Sequence, residues 1–113
     1  MQTNIREEIL HIVIKTVTEA KPLVDAVQRR DKDLADQIRR ALSSIGLNTA
    51  EGFGTSRNGN ARLRFESARG SLYEAQTGLQ IAIAWGYFTL EEATSTFTSL
   101  DRIAARLYGL ARR

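Results

Sequence analysis

Glu8 and His11 are the first residues whose types and spacing could do chemistry, since a Glu-x-x-His step sets a carboxylate and an imidazole on one helical face. Di-metal centres in helical bundles use that spacing, but they need two such motifs and two further inward carboxylates. The chain has a single histidine, so no metal centre is expected and His11 reads as an ordinary helix residue. The same scarcity removes a serine nucleophile activated through a His–Asp relay. With no cysteine there is no thiolate for zinc or catalysis and no disulfide. The glycines at 52, 54 and 59 suggest phosphate binding, yet no strand precedes them and no Gly-Lys-Ser/Thr step follows. The adjacent carboxylates Glu7-Glu8 and Glu91-Glu92 point to different helix faces and read as surface residues. The expectation is a protein that is not an enzyme and takes no cofactor.

Two polar rows are more informative. Gln37, Arg40, Ser44, Asn48 and Glu51 recur every three or four residues beside an apolar face, and Arg62, Glu66, Arg69, Tyr73, Gln76 and Gln80 do the same further on. Folding the two segments back to back brings Asn48 and Glu51 to the level of Arg62 to Arg69. Shielded polar groups need partners, so a network of carboxylate, arginine and amide is one expectation. The plainer alternative leaves each side chain solvated at the bundle edge.

The elements that position these rows are helices. Ile5, Ile9, Ile12, Val13, Val17, Ala20, Val24 and Val27 follow helical spacing across about 3–30, with Pro22 expected to kink or divide the helix. Asp33 is a candidate N-cap for a second helix over 33–52 carrying Leu34, Ile38, Ala41, Leu42 and Ile45, stopped by Gly52-Phe-Gly54. Asn58 or Asn60 can cap a third helix over 60–85 with Leu63, Phe65, Ala68, Leu72, Ala75, Leu79 and Ile83 inward, ended by Gly86. Thr89 with Glu92 forms a capping box, starting a fourth helix over 90–112 that uses Leu90, Ala93, Phe97, Leu100, Ala104, Leu107 and Ala111. A chain of 113 residues suits one domain, and the pattern predicts an all-α, antiparallel up-down four-helix bundle.

Leu10 and Ile14 widen the apolar arc of the first helix, and Ile81 with Trp85 projects nearly opposite Leu79 on the third. This is more apolar surface than a lone bundle needs, so these four are the expected oligomer contacts. The net charge of +3 permits phosphate contact without requiring it. Residues 1–4 lack a basic region leading into an apolar run, so no signal peptide is expected, and no stretch is long enough for a membrane span. The plain expectation is a cytosolic protein.

The segment Gln37-Ile-Arg-Arg-Ala-Leu-Ser-Ser-Ile-Gly-Leu-Asn-Thr-Ala-Glu-Gly-Phe-Gly54 resembles a signature of the four-helix bundle proteins encoded in intervening sequences of 23S, the large-subunit, rRNA genes. Arg64-Phe-Glu-Ser-Ala-Arg-Gly-Ser-Leu-Tyr-Glu74 resembles the second signature of that family, and Trp85-Gly-Tyr-Phe88 its third-helix ending. Arg40, Ser44, Asn48, Glu51, Gly52, Arg69, Gly70, Ser71 and Glu74 fall on the characteristic positions. Thr49 departs from the usual isoleucine, and residues 5–30 hardly resemble the family's aromatic-rich first helix. The resemblance implies a cytosolic bacterial protein assembling into a ring, typically a homopentamer. It also relates the chain to the accessory variability determinant proteins of diversity-generating retroelements, which bind nucleic acid and a reverse transcriptase.

Two functions follow as expectations. One is RNA or other nucleic-acid binding through Arg39, Arg57, Arg62, Arg64, Arg102, Arg106, Arg112 and Arg113, whose planar donor forks suit phosphate and whose weak charge a ring would multiply. The other is a scaffold docking a protein partner on the extra apolar surface. The motif residues Arg40, Ser44, Asn48, Glu51, Arg69, Ser71 and Glu74 are expected to act in structure or at an interface.

Overall fold

The side-chain spacing resolves into four helices in a computed structural model that describes residues 4–55 and 59–112: α1 (Ile5–Gln28), α2 (Lys32–Gly54), α3 (Gly59–Ala84) and α4 (Leu90–Ala111). Asn4 starts α1 by accepting from the Arg6 N–H at 2.8 Å, and Glu7 and Glu8 sit favourably in the first turn. The helix runs through Pro22 without dividing. Asp31, not Asp33, caps α2, accepting from the Leu34 N–H at 3.0 Å. Asn60 lies inside α3 and is not its cap, while Asn58 falls outside the described residues. The Thr89–Glu92 capping box forms in both directions.

Glycine at 86 closes α3 as expected. It adopts φ +83°, and the Tyr87 N–H then reaches the Ala82 carbonyl at 2.9 Å. Tyr87 turns its hydroxyl to Asp31 at 3.4 Å, tying the α3–α4 turn to the α1–α2 turn. Burial, and then the Asp31 carboxylate, push the Tyr87 hydroxyl above its ordinary range. α2 passes Gly52 and ends at Gly54, two residues beyond the expected end at 52.

Each helix packs against its chain neighbours, and α4 returns to α1. This leaves α1 and α3 on one diagonal and α2 and α4 on the other. Cross-helix contacts fix the antiparallel sense: Gln28 meets Arg39, Ser44 meets Ser71, Gln76 meets Asp101, and Glu8 meets Arg106. The core is a continuous cluster from all four helices, with Ile9, Ile38, Ile45, Leu72, Leu79, Leu100, Ile103 and Leu107 fully enclosed.

Several expected core positions lie elsewhere. Ile5, Val17, Leu63 and Leu90 are exposed, and Thr16, Leu23, Ala61 and Ile103 are buried in their helices. Apolarity marked the exposed leucines as core, but their angle about the helix axis turns them outward. Buried Thr16 and Thr49 satisfy their hydroxyls on the Ile12 and Ile45 carbonyls one turn back, at 2.7 and 2.6 Å.

Candidate functional site

The seam between α2 and α3 is built from small residues. A Cβ placed at Gly52 would stand 2.5 Å from Cε1 of Phe65, and one at Gly78 would stand 2.7 Å from Cγ1 of Ile38. Between these two close approaches the Ser44 and Ser71 hydroxyls bond at 2.7 Å. The Asn48 amide donates to the Ser44 hydroxyl at 2.9 Å and to its carbonyl at 3.1 Å. Ser44, Asn48, Ser71 and Gly52 of the motif therefore act first in packing, with both serine hydroxyls and the Asn48 amide nitrogen hydrogen-bonded.

The expected grouping of Asn48, Glu51 and Arg69 does not form. Glu51 reaches Arg64 at 3.1 Å on the exposed rim of the α2–α3 seam. Arg69 lies on the opposite flank of α3, bonded to Glu66 at 3.0 Å and stacked over Tyr108 of α4. Its bond to Glu66, and then one to Tyr73, raise the already high Arg69 pKa. The helix 3 row divides: Arg69 and Gln76 turn to Tyr108 and Asp101 of α4, whereas Tyr73 borders the same α2–α3 groove as Gln37 of the helix 2 row. Arg40 and Glu74 are exposed along the α2–α3 seam.

The predicted nucleic-acid arginines divide. Arg62, Arg64, Arg106 and Arg112 lie towards the end of the bundle where α1 begins and α4 finishes. Arg39 sits in the other half, bonded to Asp36 at 2.8 Å and Gln28 at 3.1 Å. Arg102 is exposed midway along α4, and Arg57 and Arg113 fall outside the described residues. Arg106 bonds Glu8, and Arg112 donates to the Tyr108 hydroxyl while its guanidinium carbon lies 4.9 Å from the ring centroid.

Ile14 and Trp85 are each 67% exposed, Ile81 is exposed and Leu10 half-buried. The two pairs sit on helices that lie diagonally across the bundle, and Ile81 borders α2. Leu47 on α2 is a further exposed large apolar residue, missed by reasoning from core spacing because it falls between core positions. Beside Ile81, a groove of about 300 Å³ opens over Gly78, lined by Leu34, Gln37, Ile38, Tyr73, Glu74 and Thr77. Among the described residues no group of three or more acidic, histidine or cysteine side chains could hold a metal ion, and no helix is long and apolar enough to cross a membrane.

An all-α four-helix bundle with a serine- and glycine-lined α2–α3 seam is the class these features define. The profile of the family described as 23S rRNA-intervening sequence protein matches residues 8–109, and the chain belongs to that family. The match takes in α1, whose sequence departs most from the family's pattern. Among solved structures the chain is similar to a protein of unknown function from the S23 ribosomal protein family of Bacteroides thetaiotaomicron. The two share 19% identity with a TM-score of 0.83, over 93% of this chain and 99% of that one, a likeness of fold. No curated protein matches the chain.

Proposed function

We propose that this chain is a non-enzymatic, self-assembling cytosolic bundle that holds RNA or another nucleic acid on its assembled surface. The observation that carries the reading is segregation of charge along the bundle. Arg6, Arg62, Arg64, Arg69, Arg106 and Arg112 outnumber Glu7, Glu8, Glu51 and Glu66 in the half where α1 begins. In the opposite half, among the described residues, the balance reverses: eight carboxylates, Asp25, Glu74, Glu91 and Glu92 among them, face six lysines and arginines. A polyanion favours the first end, and several copies side by side add their fields and contacts.

Assembly follows from the apolar flanks. Ile14 and Trp85 are exposed on two helices that lie diagonally across the bundle, and joining one to the other on the next copy is a heterologous contact that closes into a ring, such as a pentamer. Light scattering on a sizing column, with a structured RNA titrated across a salt series, tests both parts. Affinity should fall steeply with salt. A stable monomer overturns the assembly, and no binding at low salt overturns the RNA reading. The groove over Gly78 favours a second reading, a scaffold for a protein partner, which the same failure of RNA binding would leave standing.

A further inference from the structure

The outer face of the α3–α4 seam interleaves cations and aromatic rings in a way neither sequence row revealed. Tyr108 is its centre. The guanidinium carbons of Arg69 and Arg112 lie 5.2 and 4.9 Å from the ring centroid, and Arg112 also donates to the hydroxyl. Tyr108 nonetheless remains 46% exposed, and Tyr73, one turn along α3 and hydrogen-bonded to Arg69, is 52% exposed between this face and the groove over Gly78. Glu66 holds Arg69 with bonds at 3.0 and 3.2 Å, which fixes the guanidinium instead of leaving it to sweep through water. On α4 the exposed Ala105 and Gly109 flank Tyr108 without bulk, and a Cβ at Gly109 would meet nothing within 4 Å. Gln76, bonded to Asp101 at 3.1 Å, and Gln80 continue the face with amides.

Ring faces and guanidinium planes both stack on unpaired bases, and arginine N–H edges meet phosphate. An acidic peptide would use the cations alone, and a duplex would hide the base faces the tyrosines need. We infer that the Arg69–Tyr73–Tyr108–Arg112 face binds single-stranded nucleic acid, with unpaired bases stacked on the tyrosines and the backbone held by the arginines. This rests on the nucleic-acid reading above and narrows it to one seam and one strand state.

Fluorescence titration of the full chain with labelled oligouridylate, and with a duplex RNA of the same length, provides the test. Tyr108→Leu should weaken oligouridylate binding about fivefold or more, the loss of one base–aromatic stack, without changing the salt slope or duplex affinity. Tyr108→Phe should retain binding. Arg69→Gln should weaken both probes and flatten the salt dependence. Circular dichroism melts of each variant confirm that the bundle still folds. If the wild-type chain binds both probes and the Tyr73→Leu/Tyr108→Leu double variant holds oligouridylate as tightly, the stacking face is overturned and the nucleic-acid reading stands. If the wild type binds neither probe at low salt, both fall. Polyglutamate binding that depends on Tyr108 as strongly as oligouridylate binding does would overturn the assignment to bases.

Discussion

Gly52 lies beneath the ring of Phe65, so near that a Cβ at position 52 would stand 2.5 Å from Cε1. Phe65 cannot withdraw freely, because its ring packs edge-on against Phe53 at a centroid distance of 5.1 Å. The absent side chain at 52 is thus what lets α2 and α3 close around the serine pair.

Alanine should therefore act oppositely at two helical glycines. Gly52→Ala should cost about 1–3 kcal/mol through overpacking, partly offset by better helix propensity. Gly70→Ala, where a Cβ meets nothing within 4 Å, should gain about 0.5–1 kcal/mol. Urea melts of both variants give the comparison, and equal signs would contradict the packing account.

Acid should loosen the α1–α4 seam. The Ser95 hydroxyl bond, then the Ser99 bond at 2.8 Å and nearby Lys15, hold the Glu19 carboxyl below its ordinary value against the opposing pull of burial. The folded chain binds that proton less readily than the unfolded one, so the contact stabilises at neutral pH and is lost as pH falls below about 5. Glu19→Gln should lower stability modestly at neutral pH and flatten the acid-side decline, measured as melting temperature against pH.

Much of the bundle was legible in the sequence, for physical reasons that also explain the failures. Spacing of three and four located every helix, and the Thr89–Glu92 pair marked the start of α4 because its capping logic is local. The pattern could not separate two uses of glycine: Gly86 ends a helix with positive φ, whereas Gly52 admits an aromatic ring. It also points to Asp33 as the cap of α2, whereas Asp31, two positions earlier, accepts the Leu34 N–H. Leu63 was assigned inward on hydrophobicity, but small Ala61 lies buried instead. Arg69 and Gln76 meet α4 while Tyr73 of the same row borders α2, because helical spacing gives a face and not the helix it meets. Tyr108, isolated on a polar side of α4, carried only its four-residue offset from Arg112 as a signal.

Complementary defects test the head-to-tail contact. Under the proposed joining of these two faces, Ile14→Glu and Trp85→Glu should each reduce assembly, since each spoils one of them. Mixing the two variants should restore one intact joint and give a capped dimer on a sizing column. Unchanged assembly of either variant would exclude its flank from the interface.

Loss of the cap on α4 should be costly for an exposed residue. The Thr89 hydroxyl accepts from the Glu92 N–H at 3.2 Å, and the Thr89 N–H donates back to the Glu92 carboxylate at 2.9 Å. Thr89→Ala should cost about 1 kcal/mol, read from denaturant melts, with Thr89→Ser close to wild type.

The order of helices around the bundle also distributes the entropy of chain closure unevenly. Three seams join helices that follow one another, while the α1–α4 seam unites residues such as Glu8 and Arg106, 98 positions apart. Ordering so long a loop opposes this seam most, though the cost grows only slowly with length. The bonds that Glu8 and Glu19 make with Arg106, Ser95 and Ser99 fall on this long-range closure. Charge and hydroxyls, rather than the glycine-tight packing of α2 on α3, fasten the clasp of the hoop.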